Sequence, residues 1–243
     1  MSTFSRQSEF WNAEVRERKG LVGDRLNRPK VVWSMGGLQG LKILEAGSGA
    51  GYMAMLLAAR GAEVYCIEKE PEMLACAVGK PIIRYQEGDI CRLPYSDDFF
   101  DWVTSVSVLP YVSDSVMVGA FEHMRRVLKP GGRAIVSVTH PDMYRAGSPA
   151  RASDPCWIRF TNPGTPVSGD RTWTQEYFND EGQSSVLDVY DHSFEEYLTA
   201  AARAGLVLTK IWPATFPEEL TSERYGRTFG YPCYLFMEFR KGK

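Results

Sequence analysis

From Leu41 to Val138 the chain repeats one unit: a short apolar run, a turn, then a helical segment. The runs are Leu41 to Ala46, Ala62 to Ile67, Ile82 to Gln86, Asp101 to Val108 and Arg133 to Val138. Helices are predicted at Tyr52 to Arg60, Pro71 to Val78 and Ser113 to Leu128. Strands that alternate with helices pair in parallel and need cover on both faces. After Thr139 the rhythm breaks. The stretch from His140 to Asp191 mixes Pro and Gly with Trp157, Phe160, Trp173, Tyr177 and Phe178. It then resumes at Ser193-Phe194-Glu195-Glu196, a capping box that opens a helix ending at Gly205. Two last strands follow, Leu206 to Trp212 and Cys233 to Phe239. The pattern predicts a single domain over 1–243, with a helical cap at 1–40 and an aromatic insertion, or lid, at 140–191. Ser5 to Lys19 reads as an amphipathic helix of that cap, and a second short helix is predicted after Pro29.

Composition narrows the partners. Formal net charge is −2, which gives no basic field for nucleic acid or an anionic membrane. Five scattered cysteines without a Cys-x-x-Cys pair argue against a disulfide framework or zinc site. No acidic cluster has metal-ligand spacing. The first twenty residues lack an apolar signal core, and no run reaches transmembrane length, so a reducing cytoplasm is the expected setting. Monomer and homodimer both stay open.

The most informative turn is Glu45-Ala46-Gly47-Ser48-Gly49-Ala50-Gly51, between the first strand and the first helix of the rhythm. Glycine lets backbone approach a ligand closely, and the helix start offers free N–H groups. A dinucleotide fingerprint would be Gly-x-Gly-x-x-Gly, but its last position is Tyr52 here. A carboxylate at Glu45 would also repel a pyrophosphate. It suits a ligand carrying an ammonium and a sulfonium, as S-adenosylmethionine (SAM) does. A nicotinamide oxidoreductase is thereby disfavoured.

Six segments, in this order, resemble the class I SAM-dependent methyltransferases of small-molecule type: Ile43 to Tyr52, Gly61 to Glu68, Glu70 to Leu74, Gly88 to Tyr95, Phe99 to Val103 and Arg126 to Gly132. The resemblance implies a Rossmann-like three-layer α/β sandwich. Its sheet would have seven strands, mostly parallel, with the last antiparallel. It implies SAM as cofactor, S-adenosylhomocysteine as product and a small-molecule acceptor. Carried over by position, Ala46, Gly47, Ser48, Gly49 and Gly51 would meet the amino acid half of SAM, and Glu45 its amino group. Glu68 would accept from both ribose hydroxyls, with Lys69 and Met73 flanking the adenine. Asp89 and Ile90 would meet the adenine edge, and Ser105 the methionyl part. A cofactor-binding protein without transferase activity needs the same residues and stays the alternative.

Methyl transfer needs position, exclusion of water and a proton acceptor, and no covalent enzyme intermediate. His140 directly follows the fifth strand, at the sheet edge where α/β folds bind ligands, and is a candidate base. The alternative for His140 is a histidine that bonds backbone and shapes the lid. Tyr111, after the fourth strand, and His192, before the capping box, are further candidates, with a local structural role the stronger reading for His192. Tyr144, Trp157, Trp173 and Tyr177 are the candidate aromatic wall of the acceptor site, or equally a self-packed lid. Asp101 reads as a structural cap of its strand, and Arg126 and Lys129 as surface charges.

Overall fold

The structure, a computed structural model, describes residues 27–77, 81–141, 158–161, 172–178, 184–215 and 232–242. The predicted Ser5 to Lys19 helix lies outside the described residues. The short helix after Pro29 is present as α1, Arg28–Ser34. Strands β1 (Lys42–Ala46), β2 (Glu63–Glu68), β3 (Ile83–Glu87), β4 (Phe100–Val106) and β5 (Leu128–Thr139) alternate with α2 (Tyr52–Ala59), α3 (Pro71–Leu74) and α4 (Asp114–Val127). After β5 come β6 (Ile158–Thr161), β7 (Thr172–Phe178) and β8 (Ser184–Tyr190), then α5 (Phe194–Arg203), β9 (Leu206–Thr215) and β10 (Pro232–Lys241).

Seven strands form one sheet in the order β3-β2-β1-β4-β5-β10-β9. β1 pairs in parallel with β2 and β4, and β10, last in the chain, is antiparallel to both β5 and β9. The expected mostly parallel sheet with an antiparallel last strand is therefore present. β10 lies inside the sheet, between β5 and β9. Successive strand residues point to opposite faces, and the core divides accordingly. Ile43, Val64, Cys66, Ile135 and Phe236 bury one face together with Val31 and Val32 of α1 and Met53 and Leu57 of α2. Leu44, Val103, Val136, Leu235 and Met237 bury the other with Phe121 and Met124 of α4 and Tyr197 and Ala201 of α5. The order reverses beside β1, where β2 lies on one side and β4 on the other. Such a point opens a crevice at the carboxyl ends of the strands.

The insertion has more order than its Pro and Gly content suggests. β6, β7 and β8 pair antiparallel into a separate three-stranded sheet. Ser185, Leu187 and Val189 of β8 are buried in alternation, and Trp173 of β7 packs half-buried against the first core face.

Asp101 caps as expected: one carboxylate oxygen accepts from the Lys42 amide at 2.9 Å and the other from Lys129 Nζ at 2.6 Å. Lys129 is thus a partner of that cap. Arg126 is more than a surface charge. It donates to the carbonyls of Tyr95 at 2.6 Å and Leu93 at 2.7 Å and to Asp97 Oδ1 at 2.8 Å. One guanidinium from α4 thereby fixes the irregular segment that leads from the end of β3 into β4. We expect Arg126→Ala to lower unfolding free energy by about 2 kcal/mol, because two carbonyls lose a charged donor. Thermal unfolding checks this, and an unchanged midpoint would return Arg126 to the surface.

Candidate active site at the carboxyl edge of the sheet

The turn after β1 is built from backbone that side chains would obstruct. Gly47 has φ +83°, and a Cβ there would stand 2.4 Å from Val108 Cγ2. Gly51 has φ +85°, and its Cβ would meet the Tyr85 hydroxyl at 2.0 Å. Only glycine takes this left-handed backbone without strain, and only glycine fits these contacts. The amides of Gly47 and Ser48 both donate to the Ile67 carbonyl, at 2.8 and 3.0 Å, which ties the turn to β2. Gly51 is the N-cap of α2 and has no side-chain cap, so that helix begins with donors aimed at the crevice.

Two acids stand at successive strand ends beside this turn. Glu68 closes β2. Its Oε2 accepts from the Gly49 amide at 2.7 Å, and its Oε1 from Lys69 at 2.9 Å and Glu70 at 3.1 Å. Three backbone donors fix the carboxylate and leave lone-pair capacity for a hydroxyl. Burial pushes Glu68 above the ordinary carboxylate range, against the pull of those amides. Asp89 follows β3. Its Oδ1 accepts from the Cys91 amide at 2.8 Å, and its Oδ2 pairs with Lys69 Nζ at 3.0 Å. Desolvation would raise Asp89, but the Cys91 amide and the Lys69 ammonium together draw it below its usual value. Ile90 and Met73 are buried beside the two acids.

Glu45 is different in kind. It is 1% exposed, and it shares the sheet face of Ile43. The Thr104 hydroxyl, on β4, lies against its Oε2. Burial pushes Glu45 up to about 8, with Thr104 and Arg28 opposing and Glu68 adding to the rise. Arg28 itself lies 5.2 Å from the centre of the Tyr52 ring, over the start of α2. Ser105, one residue after Thr104, is fully buried, and its hydroxyl has no hydrogen-bond partner among the described residues. A glycine cradle, two strand-end acids and, within β4, a buried hydroxyl without a partner among the described residues together fit a polar nucleoside ligand.

Tyr111 ends a short 3-10 turn after β4, half-buried and close to Tyr234 of β10. His140 follows β5, and its amide donates to the Cys233 carbonyl at 3.0 Å. Both stand at the same edge as the glycine turn. His192 is 2% exposed, with Nε2 at 2.7 Å from the Val112 carbonyl and Nδ1 at 2.8 Å from Asp114 Oδ1. Both ring nitrogens are taken, which leaves neither for a substrate proton. His192 therefore braces the segment that carries Tyr111, the local role weighed for it. Trp173 lies in β7, and Tyr177 is in the same strand. Tyr144 and Trp157 lie outside the described residues.

Four neighbours escaped the sequence reading: Asn27, Arg28, Thr104 and Tyr234. Asn27 is buried, donates to Ser107 Oγ at 3.0 Å and accepts from the Ser137 hydroxyl. Those bonds hold Ser107 in a left-handed conformation, φ 59°, at the exit of β4. Thr104 is the register partner of Glu45 across β1 and β4, a pairing fixed only by the order of the strands in the sheet.

Glu45 makes stability depend on pH. The unfolded chain releases this proton near 4.5 and the folded chain near about 8. Between those values the folded state holds one proton more, so the contribution is complete below the lower value and fades as pH rises. The slope is at most about 1.4 kcal/mol per pH unit. Glu45→Gln keeps the shape without the ionisation. Urea unfolding at pH 6 and pH 8 should show the wild type losing more stability than the variant. Equal losses would contradict the buried-acid assignment.

The profile of the methyltransferase domain family matches residues 44–136, the stretch from β1 to β5 that carries this site. Over 105 residues the chain is 35% identical to a malonyl-[acyl-carrier protein] O-methyltransferase of Erwinia billingiae, covering 43% of this chain and 41% of that one. Over 115 residues it is 33% identical to a demethylmenaquinone methyltransferase of Beutenbergia cavernae, covering 47% of each. The chain spans less than half the length of either curated relative. A crystal structure of an S-adenosylmethionine dependent methyltransferase from Mesorhizobium loti superposes with TM-score 0.59 at 24% identity, over 87% of this chain and 96% of that one. Residues 44–136 are thus similar to the methyltransferase domain family, and the seven-stranded sheet shares the fold of the solved Mesorhizobium loti structure.

Proposed function

We propose that the protein transfers a methyl group from SAM to an oxygen, nitrogen or carbon of a small aromatic or apolar molecule. The observation that carries the reading is the glycine turn flanked by Glu68 and Asp89 at consecutive strand ends, with Glu68 already oriented by three backbone amides. In this reading Glu68 receives the ribose hydroxyls, Asp89 and Ile90 meet the adenine edge, and Met73 and the stem of Lys69 flank the ring. Gly47, Gly49 and Ser105 line the path of the methionyl part. Glu45 faces its ammonium, and Arg28 is placed to meet its carboxylate. The bound cofactor supplies an electrophilic methyl on a sulfonium.

The chain's own work is then position, dryness and proton removal. Tyr111 and Tyr234 frame the acceptor side of the crevice. His140, anchored through its amide to Cys233, is the base proposed for an acceptor that must lose a proton. The insertion sheet, which presents Trp173, covers the acceptor. A small acceptor suits a chain of net charge −2, and both relatives' names specify methyl transfer, one to oxygen.

Thermal unfolding with SAM, S-adenosylhomocysteine and NAD tests the cofactor. Ligand at a hundred times its Kd adds about 2.7 kcal/mol, or roughly 5–10 °C for a chain of this size. We expect that shift with the two sulfur nucleosides and none with NAD; the reverse would end the reading. Glu68→Ala should weaken S-adenosylhomocysteine about tenfold to a hundredfold, the worth of hydrogen bonds to a charged group. Unchanged affinity would remove Glu68 from the site. Release of S-adenosylhomocysteine with an acceptor panel separates an enzyme from a protein that only binds.

A further inference from the structure

The setting of Glu45 asks for a proton as well as a ligand. Its carboxyl enters the layer that α1 and α2 cover, with Cys66 of β2 beside it on one side and Thr104 of β4 on the other. The charged and titratable groups facing it are the Arg28 guanidinium from α1, the Glu68 carboxyl from the end of β2 and the Cys66 thiol. The Thr104 hydroxyl touches Glu45 Oε2 and also lies 3.3 Å from the Leu44 carbonyl oxygen. A threonine hydroxyl has one hydrogen to give. With Glu45 ionised, both neighbours are acceptors and one contact goes unmade. With Glu45 protonated, the acid donates to Thr104 and Thr104 donates to Leu44, and both contacts are hydrogen bonds. Full burial favours the same form.

We propose that cofactor binding is coupled to loss of this proton: Glu45 is a carboxylic acid before the ligand enters and a carboxylate opposite the ligand's ammonium afterwards. The O–H bond of the carboxyl breaks, its electron pair stays on Glu45, and the proton passes to solvent. The Thr104 hydrogen then turns from Leu44 to the new carboxylate. This inference rests on the cofactor reading of the same turn and adds a consequence that reading does not require. Affinity for the nucleoside should rise with pH across neutrality, and each binding event should acidify the medium.

Calorimetry with S-adenosylhomocysteine on the full chain reads this directly. At pH 7 the observed heat should differ between phosphate and Tris in proportion to their ionisation heats, with a slope corresponding to up to one proton released. From pH 6 to pH 7, below the usual α-amino range so that the ligand keeps its own charge, Kd should fall up to about tenfold. Glu45→Gln should bind more weakly, with a heat that no longer depends on buffer and a Kd that no longer depends on pH. Glu68→Gln, at saturating ligand, should keep the buffer dependence, which assigns the proton to the right acid. Equal heats in both buffers for the wild type, or a slope that survives Glu45→Gln, would overturn the proposal. A folded chain that gives no heat in any buffer would instead remove the cofactor reading, and the proposal with it.

Discussion

Gly47 and Ser48 both give their amide hydrogens to one oxygen, the carbonyl of Ile67. That fork sets the path of the chain as it leaves β1. It holds the turn against β2, which brings the Gly49 amide to Glu68 and leaves α2 starting over the crevice. The fork requires a left-handed residue at Gly47, with Val108 packed where a side chain would be. Remove that freedom and the turn lifts from β2, Glu68 loses an orienting donor, and Glu45 loses its dry surroundings. The chemistry of the site thus begins as a backbone constraint.

The same edge gathers parts that are far apart in the chain. Asn27, just before α1, is bonded to the ends of β4 and β5 through Ser107 and Ser137. His192, just before α5, is bonded to the entrance of α4 through Val112 and Asp114. These are two braces on the two faces of the sheet, and both act on the loop that follows β4. The segment from Val108 to Tyr111 is therefore held from above by the N-terminal helix and from the side by the resumed βα rhythm. An acceptor wall built on that segment is as rigid as the two braces.

How much of this could be read from sequence depended on the reach of the contact. The strand ends at Glu45, Glu68 and Asp89 follow from local periodicity and turn chemistry, so their positions were legible. Their partners were not. Thr104 meets Glu45 across 59 positions, and Asn27 meets Ser137 across 110, contacts that exist only once the sheet order is known. The burial of the Glu45 carboxyl was hidden for the same reason, since it depends on the helices that cover that face of β1. Arg126 looked like a helix-surface charge because its three acceptors lie in an irregular segment with no pattern of its own. The insertion strands were obscured by aromatics beside Pro and Gly. In β8 the buried alternation of Ser185, Leu187 and Val189 is masked by a serine on the inside and the exposed Val186 on the outside.

One structure would test the account most directly: the chain crystallised with S-adenosylhomocysteine. We expect the ribose hydroxyls within hydrogen-bond distance of the Glu68 carboxylate, the adenine edge beside Asp89 and Ile90, and the ammonium on the side of Glu45. A nucleoside bound elsewhere, or seated at the glycine turn with both strand-end acids untouched, would contradict it.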